Sequence, residues 1–309
     1  MGTTYEVVVA QHPHEIGRAD LQRAVDEVFA EVDRHLSTWR PDSEISRFNA
    51  GQGTAWVPAS DVLVGLLSVS QAVSRETGGA FDITVAPIVR AWGFGAGAAN
   101  PGTPPSHEEL EQLKRAVGYL KLELRQDPPS LRKIEPMVHV DLDGVVPGLA
   151  VDLVASRLEL LGAKNYLVEL GGEVRAKGRN RAGRPWRIAV EFPLPGERRP
   201  YAIVELDGFA VSTSGDYREF RDVEGQRISH TIDPRSGMPV SHGLASVTVI
   251  HSSAAEADAW ATALMVLGPE QGLELAERRN LAALFIRRRD DGSLQETATQ
   301  AFATFRRPL

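Results

Sequence analysis

Three aspartates, Asp141, Asp143 and Asp152, fall within "VDLDGVVPGLAVD", a segment otherwise made of Val, Leu, Ala, Gly and Pro. Removing a carboxylate from water is costly unless a cation or hydrogen-bond donors compensate it. The "DLDG" start resembles a calcium loop, but that loop needs an oxygen ligand at position 5, glycine at 6 and glutamate at 12. Counted from Asp141, those positions hold Val145, Val146 and Asp152, so the calcium-loop reading fails. Two readings remain. A strand ending near Leu142, a glycine turn and a helix starting near Pro147-Gly148 would aim free N–H groups at an anion such as phosphate. Alternatively, the aspartates simply cap backbone donors at a strand–turn–helix corner.

A second constellation is "EADAWATALMVLG", where Asp258 is the lone charge between Ala257 and Gly268. Asp258 and Thr262 are four residues apart and share one helix face. A carboxylate with a hydroxyl one turn later suits a hard cation such as Mg²⁺. The bland alternative is Thr262 bonded to a backbone carbonyl, with Asp258 capping a nearby loop. In "RISHTIDPRSGMPV", His230 and Asp233 flank Ile232 and place a possible base near an acid, within turn chemistry. A Ser–His–Asp hydrolase using Ser212 or Ser214 would lack the G-x-S-x-G elbow. In "ELGGEV", Gly171-Gly172 permits either close backbone approach to a ligand or a bulge.

The elements that must position these residues alternate irregularly. "TYEVVVA" predicts a strand, and "ADLQRAVDEVFAEVDRHLS" a helix with Asp20 as N-cap. A helix runs from about Ser60 to Glu76, and another opens at Ser106 with Glu109 at capping-box distance. "HVDLDG" predicts a strand, "GLAVDLVASRLELLG" a helix and "NYLVELGGEV" a strand. "WRIAVEF", "YAIVEL", "ASVTVIHS" and "AALFIRR" predict further strands, with "AAEADAWATALMVLG" and "EQGLELAERR" helical between the last two. The expected fold class is α+β, one intertwined mixed-sheet body with packed helices over residues 1–309, with no linker strong enough to divide it.

Composition narrows the function classes. The 309 residues are 42% hydrophobic and 24% charged, ample for a core, with net charge −7 and no basic run to attract nucleic acid. The absence of cysteine removes thiolate catalysis, disulfides and cysteine metal sites. No apolar run approaches the roughly 18 residues of a membrane span. "MGTTYEVVVA" lacks the marks of a signal peptide, and Glu6 breaks a myristoylation motif. As written, the sequence predicts a cytoplasmic protein, or an extracytoplasmic lipoprotein if a leader has been removed.

Eight segments in order resemble the ApbE flavin transferase family: "MGTTYEV", "LSTWRPDSEISRFN", "GGAFDITVAPIVRAWGFG", "VDLDGVVPGLAVD", "YLVELGGEVRAKGR", "VSTSGDYREF", "ISHTIDPRSGMPV" and "ADAWATALMVLG". The resemblance implies an ApbE-like, T-fold-related body. It implies an enzyme that uses Mg²⁺ and FAD, releases AMP and links FMN by a phosphoester to a threonine of an acceptor flavoprotein. Some relatives instead hydrolyse FAD to FMN and AMP, and a non-catalytic flavin-binding protein could use the same pocket.

Residue by residue, the resemblance implies flavin or adenine contacts at Met1 and Trp39. It implies further FAD contacts at Ala80, Phe81, Asp82, Asp141, Pro147 and Ile232. Metal ligands would be Gly144 through its carbonyl, Asp258, Thr262 through its hydroxyl and Ala261 through a carbonyl. His230, in "H-x-x-D-P", and Asp258 take the catalytic roles, with His230 as base, while Asp152 stays structural. Two positions depart from the pattern. Asp143 stands where relatives often have Ser. Pro147 stands where a long polar side chain, often Lys, is usual, and Arg235 is a candidate to replace that charge.

Overall fold

The structure, a computed structural model, describes residues 2–11, 17–95, 98, 104–217, 220–223, 226–289 and 291–309. Helices and antiparallel strands are interleaved along the chain, an α+β architecture. The chain forms two compact units, each assembled from separated stretches. The first unit takes residues 1–32, 145–218 and 243–309; the second takes 33–144 and 219–242. Because both units recruit distant segments, no single linker marks a division in the sequence.

The first unit is built on a seven-stranded antiparallel sheet in the order Tyr5–Gln11, Asn165–Leu170, Glu173–Lys177, Phe209–Gly215, Leu244–His251, Ala282–Arg288, Leu294–Ala298. Alternation explains its two faces, since successive side chains of a strand point to opposite sides. Val174 and Ala176 enter a core with Trp186, Val190, Val204, Leu206 and Phe302, contributed partly by a three-stranded sheet. Glu173 and Arg175 point to the other face, which helices Val146–Leu160 and Ala254–Arg278 cover. The second helix carries its capping serine, Ser253, whose side chain accepts from the Glu256 N–H, and is interrupted at Gly268-Pro269. Gly268 adopts φ 83°, so the two helices expected there meet at a kink.

The second unit holds helices Glu44–Ala50, Asp61–Glu76, Ala86–Ala91 and His107–Lys114, with a small sheet of Val57–Pro58, Pro129–Lys133 and Leu122–Gln126. Ser43, Ser60 and Ser106 each accept a backbone N–H three residues on, which sets three of those helix starts. By contrast, Asp20 lies inside helix Arg18–Leu36 and accepts from the Gly17 N–H. Ile88, Leu110, Val117 and Ile232 form a local core. Among the described residues, no helix is long and apolar enough to cross a membrane.

The segment "HVDLDG" is not a strand. Its backbone bonds are taken by other partners, which removes the need for a sheet neighbour. The buried Asn49 side chain donates to the Val140 carbonyl and accepts from the Val140 N–H, both at 2.8 Å. Asn49 ends a helix whose last carbonyls receive the Lys133 ammonium, which donates to Asn49 O and Gly51 O at 2.9 Å. A cation at a helix C-terminus is favourable, so this side chain and the Asn49 amide together fix the backbone that carries Asp141. Replacing Asn49 with Ala strands both Val140 groups and should lower the unfolding free energy by about 2–4 kcal/mol. Urea denaturation measures this. A change below about 0.5 kcal/mol, the size of an ordinary surface substitution, would show that the amide is dispensable.

Candidate functional site

In the second unit, the two turns named by the sequence meet. Asp141 donates its N–H to the Ile83 carbonyl at 2.6 Å, so the Asp141 turn lies against the Ala80–Thr84 turn. Ala80, Phe81 and Asp82 are all buried. Asp82 is spent internally: Oδ1 accepts from the Thr84 N–H (2.8 Å) and hydroxyl (2.6 Å), and Oδ2 from the Tyr119 N–H (2.7 Å). Burial nevertheless raises its pKa, against those bonds. Asp143 donates its N–H to Asp141 Oδ1 (2.9 Å) and accepts the Thr38 hydroxyl (2.9 Å). That tie places Trp39, 68% exposed, beside the same turn. Gly144 closes the turn and is half-buried.

His230 is half-buried and stands edge-on to Phe94, with ring centroids 6.3 Å apart. Ile232 is buried in the local core. Arg235 is gripped by Asp233 through two side-chain bonds of 2.9 and 2.8 Å, so its guanidinium fork is occupied by its own turn. Burial raises the Asp233 pKa, but Arg235 outweighs it and holds this carboxyl below its usual range. Met1 lies outside the described residues.

In the first unit, Asp258 is buried on the long helix. Its Oδ2 accepts the Gly148 N–H at 3.3 Å. The Ser212 hydroxyl lies within reach of both Asp258 and Glu173, donating to Glu173 Oε1 at 3.3 Å. Burial, and then the Glu173 charge, push the Asp258 pKa well above the ordinary carboxylate range. Burial and the nearby carboxylate both disfavour the Asp258 charge, so a proton or a cation at this place is favoured. Thr262, one turn after Asp258, is half-buried, and its hydroxyl has no hydrogen-bond partner among the described residues. The alternative of a back-bond to a helix carbonyl is therefore not what is found. Ala261 is fully buried. Pro147 is in the first turn of helix Val146–Leu160, where its missing N–H costs no bond.

Glu173 is the residue that sequence reasoning missed. Gly171 and Gly172, at φ 67° and 117°, form no bulge. They are the turn of a two-residue hairpin in which Leu170 pairs with Glu173. A glycine pair between two alternating runs was the available signal, and the acid just after it is what the hairpin delivers. Ser212 likewise serves the two carboxylates and is itself buried, which is a poor setting for a nucleophile. Among the described residues, no three His, Cys, Asp or Glu side chains converge as a metal cluster. Asp258 and Thr262 offer a carboxylate and a hydroxyl one helix turn apart, oxygen donors of the kind that a hard cation takes rather than a soft one.

Asp141 has a consequence for pH. The residue is half-buried but its carboxyl faces protein. Burial, then the Asp143 charge, push its pKa from 3.8 up to about 6. The folded value lies above the unfolded one. Its contribution to stability is therefore complete below about pH 4 and is lost as pH rises through about 6, a loss of at most about 3 kcal/mol. Denaturant unfolding of the apo protein at pH 4 and pH 7 should show a smaller decline for Asp141→Asn than for the parent. Equal declines would show that this carboxyl titrates normally.

Comparison with known proteins shows the family. Residues 1–285 match the model of the ApbE family. The FAD:protein FMN transferase of Vibrio cholerae serotype O1 is 41% identical over 307 residues, covering 99% of this chain and 90% of that protein. The Escherichia coli K12 protein of the same name is 39% identical over 275 residues, covering 88% and 78%. Among solved structures, the flavin transferase ApbE from Vibrio cholerae superposes with a TM-score of 0.90 at 40% identity, covering 99% of this chain and 96% of that one. The ApbE protein of Thermotoga maritima gives 0.85 at 27% identity, covering 99% and 97%. Family model, full-length relatives and fold agree, and the chain belongs to the ApbE family.

Proposed function

We propose that this protein is an Mg²⁺-dependent FAD:protein FMN transferase whose acceptor is a threonine of a flavoprotein. The activity is supported by the near full-length relatives that bear that name. The observation that carries the cation dependence is the buried Asp258 beside Glu173, with the unpartnered Thr262 hydroxyl one turn away. These oxygens fit Mg²⁺. Asp258, Thr262 and the Ala261 carbonyl are the ligands we assign, with the Gly144 carbonyl as the further donor that the family resemblance implies. When bound, the ion would neutralise pyrophosphate oxygens and so favour departure of AMP.

The transfer balances simply. The acceptor hydroxyl oxygen attacks the phosphorus on the FMN side of the FAD pyrophosphate. The bond from that phosphorus to the bridging oxygen breaks, and AMP leaves with that oxygen and the electron pair. We assign His230 to take the hydroxyl proton. Trp39 offers an exposed aromatic face for stacking a flavin or adenine ring. The Ala80–Asp82 turn, its polar groups bonded internally, would supply shape, and Asp141 and Ile232 complete the assigned FAD contacts. Pro147 offers no side-chain donor in its place; it preserves the helix start instead.

Incubation with FAD and Mg²⁺, with and without a flavin-acceptor domain, tests the reading. AMP release that requires the acceptor, with flavin becoming covalent on it, is the expected result. AMP without acceptor would identify a pyrophosphatase, and FAD binding without AMP would identify a carrier; either would overturn the proposal. Thr262→Val keeps the shape and removes one assigned ligand. It should raise the Mg²⁺ concentration for half-maximal activity about 10-fold, near the worth of one charge-assisted contact, with little change in melting temperature. An unchanged magnesium requirement would remove Thr262 from the ligand set. His230→Gln should bind FAD normally and transfer FMN about 10²–10⁴-fold more slowly, the usual contribution of a positioned base. A parental rate from pH 6 to 9 would make His230 structural.

A further inference from the structure

Asp152, the third aspartate of the opening segment, lies on helix Val146–Leu160 and meets the start of the long helix. Its Oδ2 accepts the Ser253 hydroxyl at 2.8 Å and the Ala255 N–H at 3.1 Å. Its Oδ1 accepts the Arg175 guanidinium at 2.5 Å, and the same guanidinium donates to the Ser252 carbonyl at 2.7 Å. Both side chains are mostly buried, at 21% and 17% exposure. One turn before Asp152, Gly148 brings the helices into backbone contact. A Cβ there would lie 2.4 Å from the Ala254 carbonyl oxygen and 2.9 Å from the Ala255 Cα, closer than side-chain carbons pack. The N–H of that same glycine reaches Asp258.

Residues 148 and 152 are therefore two grips, one turn apart, on the first turns of the helix that carries Asp258 and Thr262. Strand Glu173–Lys177 adds a third. Glu173 and Arg175 are two residues apart on one face, roughly 6.6 Å along the strand. Glu173 meets Asp258 through Ser212, and Arg175 meets the helix cap through Asp152. One rigid strand thus sets the distance between the helix start and the acid pair.

We propose that Asp152 and Arg175 are positioning residues, a buried clamp that holds the start of the long helix so that Asp258 and Thr262 keep the spacing a bound cation requires. The inference rests on the cation reading above. A plain capping carboxylate would stabilise the helix and do nothing more. A clamp that orients ligands also sets metal affinity, and losing such a support typically costs 10–100-fold.

The test uses the full chain with FAD present and Mn²⁺ as the probe, its binding followed by electron paramagnetic resonance. Arg175→Met keeps length and removes the charge; Arg175→Lys returns the charge and one donor. In Arg175→Met, Mn²⁺ affinity should fall about 10–100-fold, with a matching fall in kcat and an unchanged KM for FAD. Arg175→Lys should recover a large part of both. If Arg175→Met fails to fold, Asp152→Asn, which keeps an acceptor for Ser253 and Ala255, and Arg175→Lys provide the same readings. Lowered melting temperature with parental Mn²⁺ affinity and kcat would overturn the positioning role and leave the cation reading intact. A parent protein that binds no Mn²⁺ would overturn both.

Discussion

Asp258 is a carboxylate cut off from water beside a second carboxylate, and that conflict is the constraint around which the first unit is arranged. Coulomb repulsion and lost hydration act in the same direction, so each makes the other harder to relieve. For Asp258 itself, one N–H from Gly148 and the neighbouring Ser212 hydroxyl are weak compensation for a buried negative charge. A retained proton or a bound cation relieves it. For the proposed transferase, the second resolution would have a use: it would bring the positive charge that a pyrophosphate substrate needs. A strongly shifted acid in a site of this kind is a functional signal as well as a structural cost.

The surrounding architecture makes that conflict sustainable. A two-residue glycine hairpin ends one strand and starts the next with Glu173, and the antiparallel register then fixes its neighbours. Strand alternation sends Glu173 and Arg175 toward the helices while Val174 and Ala176 fill the opposite core. Gly148 allows two helix backbones to touch where any Cβ would collide. The second unit resolves its own buried acids differently. Asp82 is satisfied by three internal donors, and Asp141 by one N–H with its pKa lifted. Similar residues in neighbouring motifs are thus held by different physics.

Much of this was legible in the sequence, and the exceptions have physical reasons. Long elements with a clear period, such as helix Asp61–Glu76 and strand Leu244–His251, read directly from their apolar spacing. Serine caps announced helix starts, whereas Asp20 misled because the helix begins two residues earlier. The "HVDLDG" segment has strand composition but no strand, since its backbone is bonded by an asparagine 91 residues away, a contact no local pattern can announce. The i, i+4 pair Asp258 and Thr262 was visible because a helix makes spacing equal to proximity. Glu173 was not, because its meeting with Asp258 is set by sheet register and helix packing across some 85 residues of chain. The division of the chain into two units, each made of separated stretches, was hidden for the same reason.

The most direct measurement of the central claim is the melting temperature at pH 7 with increasing Mg²⁺, for the parent and for Asp258→Asn. A ion that binds the folded state alone stabilises it by RT ln(1 + [Mg²⁺]/Kd), about 2.7 kcal/mol at a hundredfold excess over Kd. If the buried acid pair is resolved by a cation, magnesium should raise the melting temperature of the parent, and Asp258→Asn should be stable without it and insensitive to it. A parent that magnesium leaves unmoved, or a variant that magnesium still stabilises equally, would contradict the account.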